Sequence, residues 1–300
     1  MDFGIGLPTG GPAMSAAAIA RTAEEAERLG LGAVWTFERL LYPPEPMMLG
    51  VGPMPLPDSN QAVWDPLEVL SFVAARTGRI RLGTSVLNGL VHSPVVLAKR
   101  LATLDRLSGG RLLAGLGIGW MEQEHAATGV PVEGRGALFD EHLAVMRAVW
   151  GPDPVSVDTE RYRIDAASAG PKPVRPGGPE LLLGAGAPVG LRRAARLGAG
   201  LTTVLFDWDA LAGTLSAYRA AAEEAGHDPA ALPVVVHLNG TAGAAVPDEA
   251  RFPLTGTVEQ ILPELDRLRE LGVAHVFWID PGGDPAAQLD GLARLHERAG

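Results

Sequence analysis

The stretch GRIRLGTSVLNG at residues 78–89 combines the pattern of a buried strand with an unusual ending. Ile80 and Leu82 alternate with arginines, which is the period-2 pattern of a strand with one buried face. The chain then becomes small and polar at Thr84 and Ser85, returns to apolar residues, and stops at an Asn-Gly pair typical of a turn. The end of a barrel strand normally carries bulky side chains. This ending therefore indicates that something other than core packing occupies the space there.

Outward from this stretch, the chain alternates short apolar runs with longer helical segments. Strands are predicted at residues 3–7, 33–37, 80–87, 111–118, 180–186, 201–206, 232–238 and 274–279. Helices are predicted at residues 15–30, 65–78, 94–107, 136–150, 188–198, 208–225, 257–271 and 285–298. Strands separated by helices pair in parallel, with right-handed crossovers. Eight such units predict an α/β fold, a (β/α)8 TIM barrel that forms one domain over residues 1–300.

Two segments interrupt this alternation, as insertions after strands two and four. Residues 41–65 are rich in proline and methionine, and residues 151–180 are rich in proline and glycine. The first segment follows a strand, so it is expected at the C-terminal face, where TIM barrels carry their active sites. It is either an active-site lid or a tolerated surface insertion.

Composition excludes several classes of function. The 300 residues contain no cysteine, which rules out disulfides, thiolate metal sites and a cysteine nucleophile and fits a reducing cytosol. The net charge is −10 without a dense basic cluster, which argues against nucleic-acid binding. The N-terminus does not resemble a signal peptide, and no apolar run is long enough to span a membrane. The seven histidines lack metal-ligand spacing, so we predict a soluble cytoplasmic protein without a metal site.

Polar residues that follow the strands are the candidates for chemistry. Glu38 and Arg39 follow strand two and either bind a polar ligand and move a proton, or form an ion pair at the rim. His92 and His125 fall in predicted loops after strands three and four, where each is either a proton donor or a solvated side chain. His237 lies on a predicted strand and reads as a core histidine.

Two glycine-rich turns follow strands. In LLLGAGAPVG, residues 181–190, a strand runs through small residues into a helix that starts near Pro188. The free N–H groups of a helix start attract an anion, so this turn is either a phosphate site or a place of tight packing. In GLGIGW, residues 115–120, the glycines either clear space for a ligand beside Trp120 or relieve crowding in the barrel.

Three longer segments together resemble the bacterial luciferase-like superfamily of flavin- and deazaflavin-dependent oxidoreductases. They are RIRLGTSVL, LATLDRLSGGRLLAGLGIGW and RGALFDEHLAVMRAVWGPDPV, and the resemblance extends over residues 3–290. WTFERLLYP and GPKPV are similar to the branch that uses coenzyme F-420, an 8-hydroxy-5-deazaflavin. The resemblance implies a (β/α)8 barrel with an insertion.

The resemblance also implies where the cofactor binds. A cis peptide bond between Ser85 and Val86 would press against the back of the tricyclic ring. The segment 184–189 would hold the phosphate of coenzyme F-420 or, alternatively, of FMN. The cofactor-binding residues implied in this way are Thr84, Ser85, Val86, Gly117, Gly184, Ala185, Gly186, Ala187 and Val189.

The function expected from the resemblance is hydride transfer from reduced coenzyme F-420 to an activated C=C or C=N bond of a neutral or hydrophobic small molecule. Glu38 is the first candidate for proton transfer, followed by His92 and His125. The substrate pocket is expected to contain Trp35, Phe37, Arg39, Met47, Met48 and Trp120. Trp120 stands where sugar-phosphate-oxidising relatives carry a catalytic Glu, so that substrate class is not expected.

Two other functions stay open at this point. One is an FMN-dependent two-component monooxygenase on the same fold, and the other is a non-catalytic flavin-binding protein. As partners, the resemblance implies a separate enzyme that reduces the cofactor and a second copy of the chain in a homodimer.

Overall fold

The structure, a computed structural model, describes residues 1–43, 47–49, 52–54, 56–247, 251–280 and 282–299. Within these residues the strands are β1 (Asp2–Gly6), β2 (Ala33–Thr36), β3 (Met47–Leu49), β4 (Gly52–Met54), β5 (Arg81–Thr84), β6 (Leu87–Asn88), β7 (Leu112–Gly117), β8 (Val155–Asp158), β9 (Arg163–Ala167), β10 (Glu180–Gly184), β11 (Gly200–Val204), β12 (Val234–Asn239) and β13 (His275–Ile279). The helices are α1 (Ala16–Arg28), α2 (Pro66–Ala74), α3 (Pro94–Leu107), α4 (Glu122–Ala127), α5 (Arg135–Trp150), α6 (Pro188–Arg196), α7 (Trp208–Glu224), α8 (Val258–Glu270) and α9 (Pro285–Ala299). Single 3-10 turns span Asp58–Gln61, Gly89–Val91 and Pro229–Ala231.

A closed parallel barrel forms the centre of the molecule. Its strands follow one another in the order β10, β11, β12, β13, β1, β2, β5 and β7, and β7 pairs again with β10 to close the ring. Every neighbouring pair in this ring is parallel. The predicted (β/α)8 barrel is therefore confirmed.

Local signals in the sequence fix the ends of several helices. Ser15 caps α1 by accepting a hydrogen bond from the N–H of Ala18 at 3.1 Å. Asp65 caps α2 in the same way, and Pro66 occupies the first helical position. Helix α2 ends at Ala74, before the predicted end at residue 78. The carboxylate of Glu27 on α1 accepts the N–H groups of residues 78–80 and thereby draws them out of the helix toward β5.

Both predicted insertions are present, and each contains a hairpin that the sequence did not predict. The first, between β2 and α2, contains the antiparallel pair β3–β4. Its role as a lid stays a prediction. The second, between α5 and β10, contains the antiparallel pair β8–β9. The short helix α4 after β7 was also not predicted.

Arg111 closes the N-terminal end of the barrel, just before β7. Its Nε donates to the carbonyl of Ser108 at 2.7 Å. One terminal nitrogen donates to the Thr77 hydroxyl and the Ile80 carbonyl, and the other donates to the carbonyls of Ala74 and Thr77, all at 2.9–3.0 Å. The five N–H donors of a guanidinium are thus matched by five acceptors.

None of the helices in the described part of the chain is long and apolar enough to cross a membrane.

Candidate active site

A cavity of about 630 Å³ opens at the C-terminal ends of the barrel strands. It is lined by Phe37, Glu38, Arg39, Ser85, Val86, Asn88, Gly117, Ile118, Gly119, Trp120, Glu124, Gly184, Ala185, Gly186, Thr202, Thr203, Val204, Phe206, Asp207, Ala210, Leu211, Thr214 and His237. This is the face at which TIM-barrel enzymes carry out their chemistry. The volume is within the range of small-molecule and cofactor sites.

The floor of the cavity lies where the third barrel strand is interrupted. The peptide bond between Ser85 and Val86 is cis, as the resemblance implies, and it separates β5 from β6. Both residues line the cavity, and the Ser85 hydroxyl lies 3.0 Å from the hydroxyl of Thr202. Thr84, in contrast, is fully buried beneath the floor. Its hydroxyl donates to the carbonyl of Gly115 and accepts from the N–H of the same residue, both at 2.9 Å.

The glycines around the floor have two different causes. A Cβ at Gly117 would lie 2.8 Å from one methyl of Val86, and a Cβ at Gly184 would lie 3.0 Å from the other. These two positions are small because Val86 fills the space between them. At Gly186, however, a Cβ would have nothing within 4 Å. Packing therefore does not explain Gly186, and its place on the cavity wall fits close approach of a ligand.

The segment predicted to bind phosphate runs from β10 into α6. Gly184, Ala185 and Gly186 line the cavity. Ala187 is the N-cap of α6 and offers no side-chain acceptor to the first turn, and Val189 is exposed. The N–H groups at this helix start are consequently available to an anion.

Glu38 is fixed by hydrogen bonds on both carboxylate oxygens. Oε1 lies 2.7 Å from Nε2 of His92, and Oε2 accepts the backbone N–H of Asn88 at 2.8 Å. The N–H of Glu38 itself donates to the carbonyl of Val86 at 3.2 Å. Glu38 lines the cavity and is bound to the chain segment that follows the cis bond, and His92 is the more exposed side chain of the pair. The geometry favours a positioning role for Glu38 over the predicted proton transfer.

Arg39 pairs with Glu124 and not with its neighbour Glu38. Its Nη1 donates to Oε1 of Glu124 at 3.1 Å, and its guanidinium carbon lies 4.7 Å from the centre of the Trp120 ring. Glu124 also accepts the N–H groups of Leu40 and Leu41 at 2.8 and 3.3 Å. The Nε of Arg39 is buried and has no hydrogen-bond partner. The alternative of a rim ion pair between Glu38 and Arg39 is therefore wrong.

Asn88 and His237 also line the cavity, although neither was predicted as a site residue. The Oδ1 of Asn88 accepts the N–H of Leu90 at 3.3 Å, while its Nδ2 is buried without a partner. The ring of His237 stacks on Phe277 with 4.8 Å between centroids, and its Nε2 is likewise unpartnered. Burial lowers the pKa of His237 to about 4, so this imidazole is neutral near pH 7.

Besides Thr84, Ala187 and Val189, three more of the predicted residues do not line the cavity. His125 lies on α4 and not in a loop, and it is fully buried with both ring nitrogens unpartnered. Trp35 is fully buried inside the barrel, where its Nε1 donates to Nε2 of His275 at 2.9 Å and its ring stacks on Phe277. His92 does not line the cavity itself. Its Nε2 lies 2.7 Å from Oε1 of Glu38, which does.

Of the remaining pocket residues, Phe37, Arg39 and Trp120 line the cavity as predicted. Met47 belongs to β3, as does Met48, and only the backbone of that hairpin is described. The predicted contribution of these two side chains to the pocket lies outside the described residues.

One wall of the cavity was missed entirely. It is formed by the end of β11 and the start of α7, with Thr202, Thr203, Val204, Phe206 and Asp207. Within the described ranges, no group of three or more His, Asp or Glu side chains could hold a metal ion.

Comparisons with known proteins agree with this geometry. The family model described as luciferase-like monooxygenase matches residues 1–251. An uncharacterized protein of Mycobacterium bovis is 33% identical over 287 residues, which cover 92% of this chain and 96% of the relative. A coenzyme F-420-dependent glucose-6-phosphate dehydrogenase of Nocardia farcinica is 39% identical over 137 residues, which cover 44% of this chain and 40% of the relative.

Solved structures share the fold over nearly the whole chain. A coenzyme F-420-dependent secondary alcohol dehydrogenase, in complex with an adduct of the coenzyme and acetone, superposes with a TM-score of 0.82 at 18% identity and covers 100% of this chain and 99% of its own. An oxygenating component of 3,6-diketocamphane monooxygenase from Pseudomonas putida, in complex with FMN, has a TM-score of 0.75 at 16% identity and covers 98% and 96%. At these identities the likeness concerns the fold alone.

Proposed function

The chain belongs to the luciferase-like monooxygenase family, and we propose that it is an oxidoreductase that uses reduced coenzyme F-420. The reaction we propose is hydride transfer to an activated C=C or C=N bond of a neutral or hydrophobic small molecule. The observation that carries the proposal is the cavity floor, where Ser85 and Val86 line the same open space as Gly186, at which a Cβ would have nothing within 4 Å. The likeness to the Nocardia dehydrogenase supports the choice of the deazaflavin.

The residues present fit such a cofactor. Its ring would lie on Ser85 and Val86, and its phosphate would bind the N–H groups at the start of α6. When bound, the deazaflavin supplies the hydride, and the chain supplies position and electrostatics. Part of the cavity wall is apolar and includes Phe37, Trp120, Val204 and Phe206.

Charge in the cavity disfavours an anionic substrate. Arg39 is paired with Glu124, and Glu38 is hydrogen-bonded to His92. His237 is neutral near pH 7 because burial lowers its pKa to about 4. The cavity therefore offers hydrogen-bonding groups without an unpaired cation among these residues, which suits a neutral molecule better than a phosphate ester or a carboxylate.

A second candidate is an FMN-dependent two-component monooxygenase. The monooxygenase from Pseudomonas putida that shares the fold binds FMN, and a seat for a tricyclic ring and a phosphate serves either cofactor. Oxygen separates the two candidates. Reduced FMN would consume oxygen on this protein, whereas the reduced deazaflavin is a hydride carrier.

Three further predictions accompany this proposal. A separate enzyme reduces the cofactor, the chain forms a homodimer, and the protein resides in the cytoplasm.

The first experiment is a titration of the purified protein with coenzyme F-420 and, separately, with FMN, followed by cofactor fluorescence. We expect micromolar or tighter binding of the deazaflavin. Gly186→Val fills the open space on the cavity wall and is expected to weaken this binding by about tenfold or more, roughly 1.4 kcal/mol.

The matched control is Gly213→Val, because a Cβ at this exposed position on α7 also has nothing within 4 Å. It is expected to leave the Kd unchanged. Preference for FMN would favour the monooxygenase, and binding of neither cofactor would overturn the proposed function.

A further inference from the structure

We propose that His237 binds the substrate, and that its Nδ1–H donates a hydrogen bond to a neutral acceptor atom of that substrate, such as a carbonyl oxygen. The inference rests on the proposed function and deepens it, since it names a recognition residue and the chemistry that this residue selects. It begins from one imidazole near the mouth of the barrel, which lines the cavity and is half-buried.

The ring of His237 is held in one orientation by a column of aromatic rings. It stacks on Phe277 with 4.8 Å between centroids and 12° between planes, and Phe277 stacks in turn on Trp35 at 4.5 Å and 13°. The indole of Trp35 is fixed by its hydrogen bond to Nε2 of His275 at 2.9 Å. Gly4 leaves the space for this bond, because a Cβ there would lie 2.6 Å from the same Nε2. The imidazole is thus preorganised before any ligand binds.

The two nitrogens of the His237 ring differ in their surroundings. Nε2 is shielded from solvent and has no hydrogen-bond partner. Nδ1 also makes no hydrogen bond within the described residues, but it is not shielded, so it is the nitrogen that reaches the cavity. In folded proteins a buried N–H without an acceptor is rarer than a buried acceptor without a donor. The proton of the neutral ring therefore resides on Nδ1, where it can be donated to a ligand.

The charge of the ring and of its surroundings selects a neutral acceptor. Burial lowers the pKa of His237 to about 4, so the ring carries no charge near pH 7. Three carboxylates also line the cavity, those of Glu38, Glu124 and Asp207, and Arg39 is already paired with Glu124. An anionic ligand atom would meet these negative charges without a free cation in the lining to balance its own. A carbonyl oxygen needs only the N–H.

The order of the strands places His237 across the barrel from the proposed ring seat. In the eight-stranded ring, β12 is the fourth strand from β5 in either direction, and Ser85 directly follows β5. A planar ring on Ser85 and Val86 therefore turns its other face toward β12. Thr202, whose hydroxyl lies 3.0 Å from that of Ser85, pairs in register with Val235, and His237 is two residues nearer the cavity mouth. A substrate stacked on the free face of the cofactor then lies between the cofactor and His237.

The position of the ring proton is measured on the protein alone by nitrogen NMR, after isotope labelling of its histidines. Couplings between the ring nitrogens and the carbon-bound ring protons distinguish a protonated nitrogen from an unprotonated one. His237→Phe identifies the signals of His237 by their loss. We expect Nδ1 to carry the proton at pH 7, and a proton on Nε2 would overturn the inference.

Cyclohexanone and methylenecyclohexane are a matched pair of probes, since they share a ring and a shape but only the ketone has an acceptor oxygen. Each is titrated into protein loaded with oxidised coenzyme F-420, which has no hydride to transfer. We expect the ketone to shift the Nδ1–H resonance of His237 and methylenecyclohexane to leave it in place. Equal shifts with both probes, or no shift with the ketone, would overturn the inference.

Three substitutions at this position separate the donor from the ring. His237→Phe keeps an aromatic ring on Phe277 and removes both nitrogens. His237→Asn has its amide nitrogen as many bonds from the backbone as Nδ1, whereas the amide nitrogen of His237→Gln corresponds to Nε2. We expect the Kd of cyclohexanone to rise by about 3- to 10-fold with Phe and with Gln, and by less than about twofold with Asn.

The Kd of coenzyme F-420 is the control for the fold and for the cofactor site. It is expected to stay within about twofold of the wild type in all three variants, and His296→Asn, at an exposed position on α9, is expected to change neither constant. An unchanged Kd of cyclohexanone in His237→Phe would overturn the inference and leave the proposed function standing. Failure of the wild type to bind the coenzyme would overturn both.

Discussion

The two ends of the barrel differ in how completely their polar side chains are hydrogen-bonded. At the N-terminal end, the half-buried Arg111 has an acceptor for each of its five donors, and the half-buried carboxylate of Glu27 receives three backbone N–H groups. At the C-terminal end, buried side-chain atoms lack partners. Within the described ranges these atoms belong to Thr9, Arg39, Ser59, Asn88, His125, His237 and Gln288. Every one of these residues lies in the C-terminal half of a barrel strand or in the segment that follows it.

This difference separates the end of the barrel that stabilises the fold from the end that can bind a ligand. Satisfied buried hydrogen bonds stabilise the folded state, while each unsatisfied buried group costs about 1–3 kcal/mol. A fold carries that cost where a ligand later supplies the missing partner. The division agrees with the general separation of stability and catalysis between the two faces of TIM barrels.

Arg111→Met tests the stabilising end and has the largest expected effect. The substitution leaves five partly buried acceptors without their donor, and we expect the free energy of unfolding to fall by about 4 kcal/mol. Urea unfolding followed by circular dichroism measures this. Arg163→Met, on a side chain that is 73% exposed, serves as the control and is expected to change stability by less than about 0.5 kcal/mol. A loss below about 1 kcal/mol for Arg111→Met would contradict the assignment.

Burial of His275 makes the stability of the protein depend on pH. Burial lowers the pKa of His275 to about 3, while an unfolded histidine titrates near 6.5. Above pH 6.5 both states are neutral and the group contributes nothing. Between pH 6.5 and 3 the unfolded chain takes up a proton that the folded chain does not. The free energy of unfolding therefore decreases as the pH is lowered, by about 2 kcal/mol at pH 5 relative to pH 7.

Urea unfolding at pH 7 and pH 5 measures this loss in the wild type and in two variants. His275→Gln cannot take up the proton and retains an acceptor for the Trp35 indole, so its pH-dependent loss is expected to be smaller by about 2 kcal/mol. His296→Gln, at an exposed position on α9, should behave as the wild type does. An identical loss in all three proteins would show that His275 is not the group responsible.

Asn88→Leu tests the cavity end and has the smallest expected effect, with the opposite sign. It removes an unpaired buried N–H and a single 3.3 Å hydrogen bond, so we expect the protein without ligand to gain about 0.5–1 kcal/mol of stability. The same urea experiment measures the gain, with the exposed substitution Asn239→Leu as the reference. A loss of more than about 1 kcal/mol would mean that Nδ2 already has a partner in the folded protein.

The sequence predicted the barrel well because its signals are local. Period-2 apolar runs and caps such as Ser15 and Asp65 depend on a few neighbouring residues, so strands and helices fall within a few residues of their predicted bounds. Helix α4 is only six residues long, and its first turn is acidic without a periodic apolar face, so no pattern marked it. Glu124, which orients Arg39, was missed for the same reason.

The parts of the site that lie within one continuous segment were predicted from the sequence. The parts that are placed by contacts between distant strands were missed. The floor at Ser85 and Val86 and the turn at Gly186 belong to continuous segments and were found. Trp35 on β2 precedes Phe37 by only two residues, yet it is fully buried and stacks on Phe277. His237 resembles a core histidine by pattern, and its exposure to the cavity follows from how the barrel closes.

The anchor at Glu124 has a consequence for how this fold diversifies. One carboxylate holds Arg39, Leu40 and Leu41, where the chain passes from β2 into the insertion. Arg39 is thus fixed to the barrel before the chain enters the proline-rich part of that insertion. The sequence between Leu41 and the cap residue Asp65 is therefore free to differ while Arg39 keeps its place beside Glu124 and Trp120.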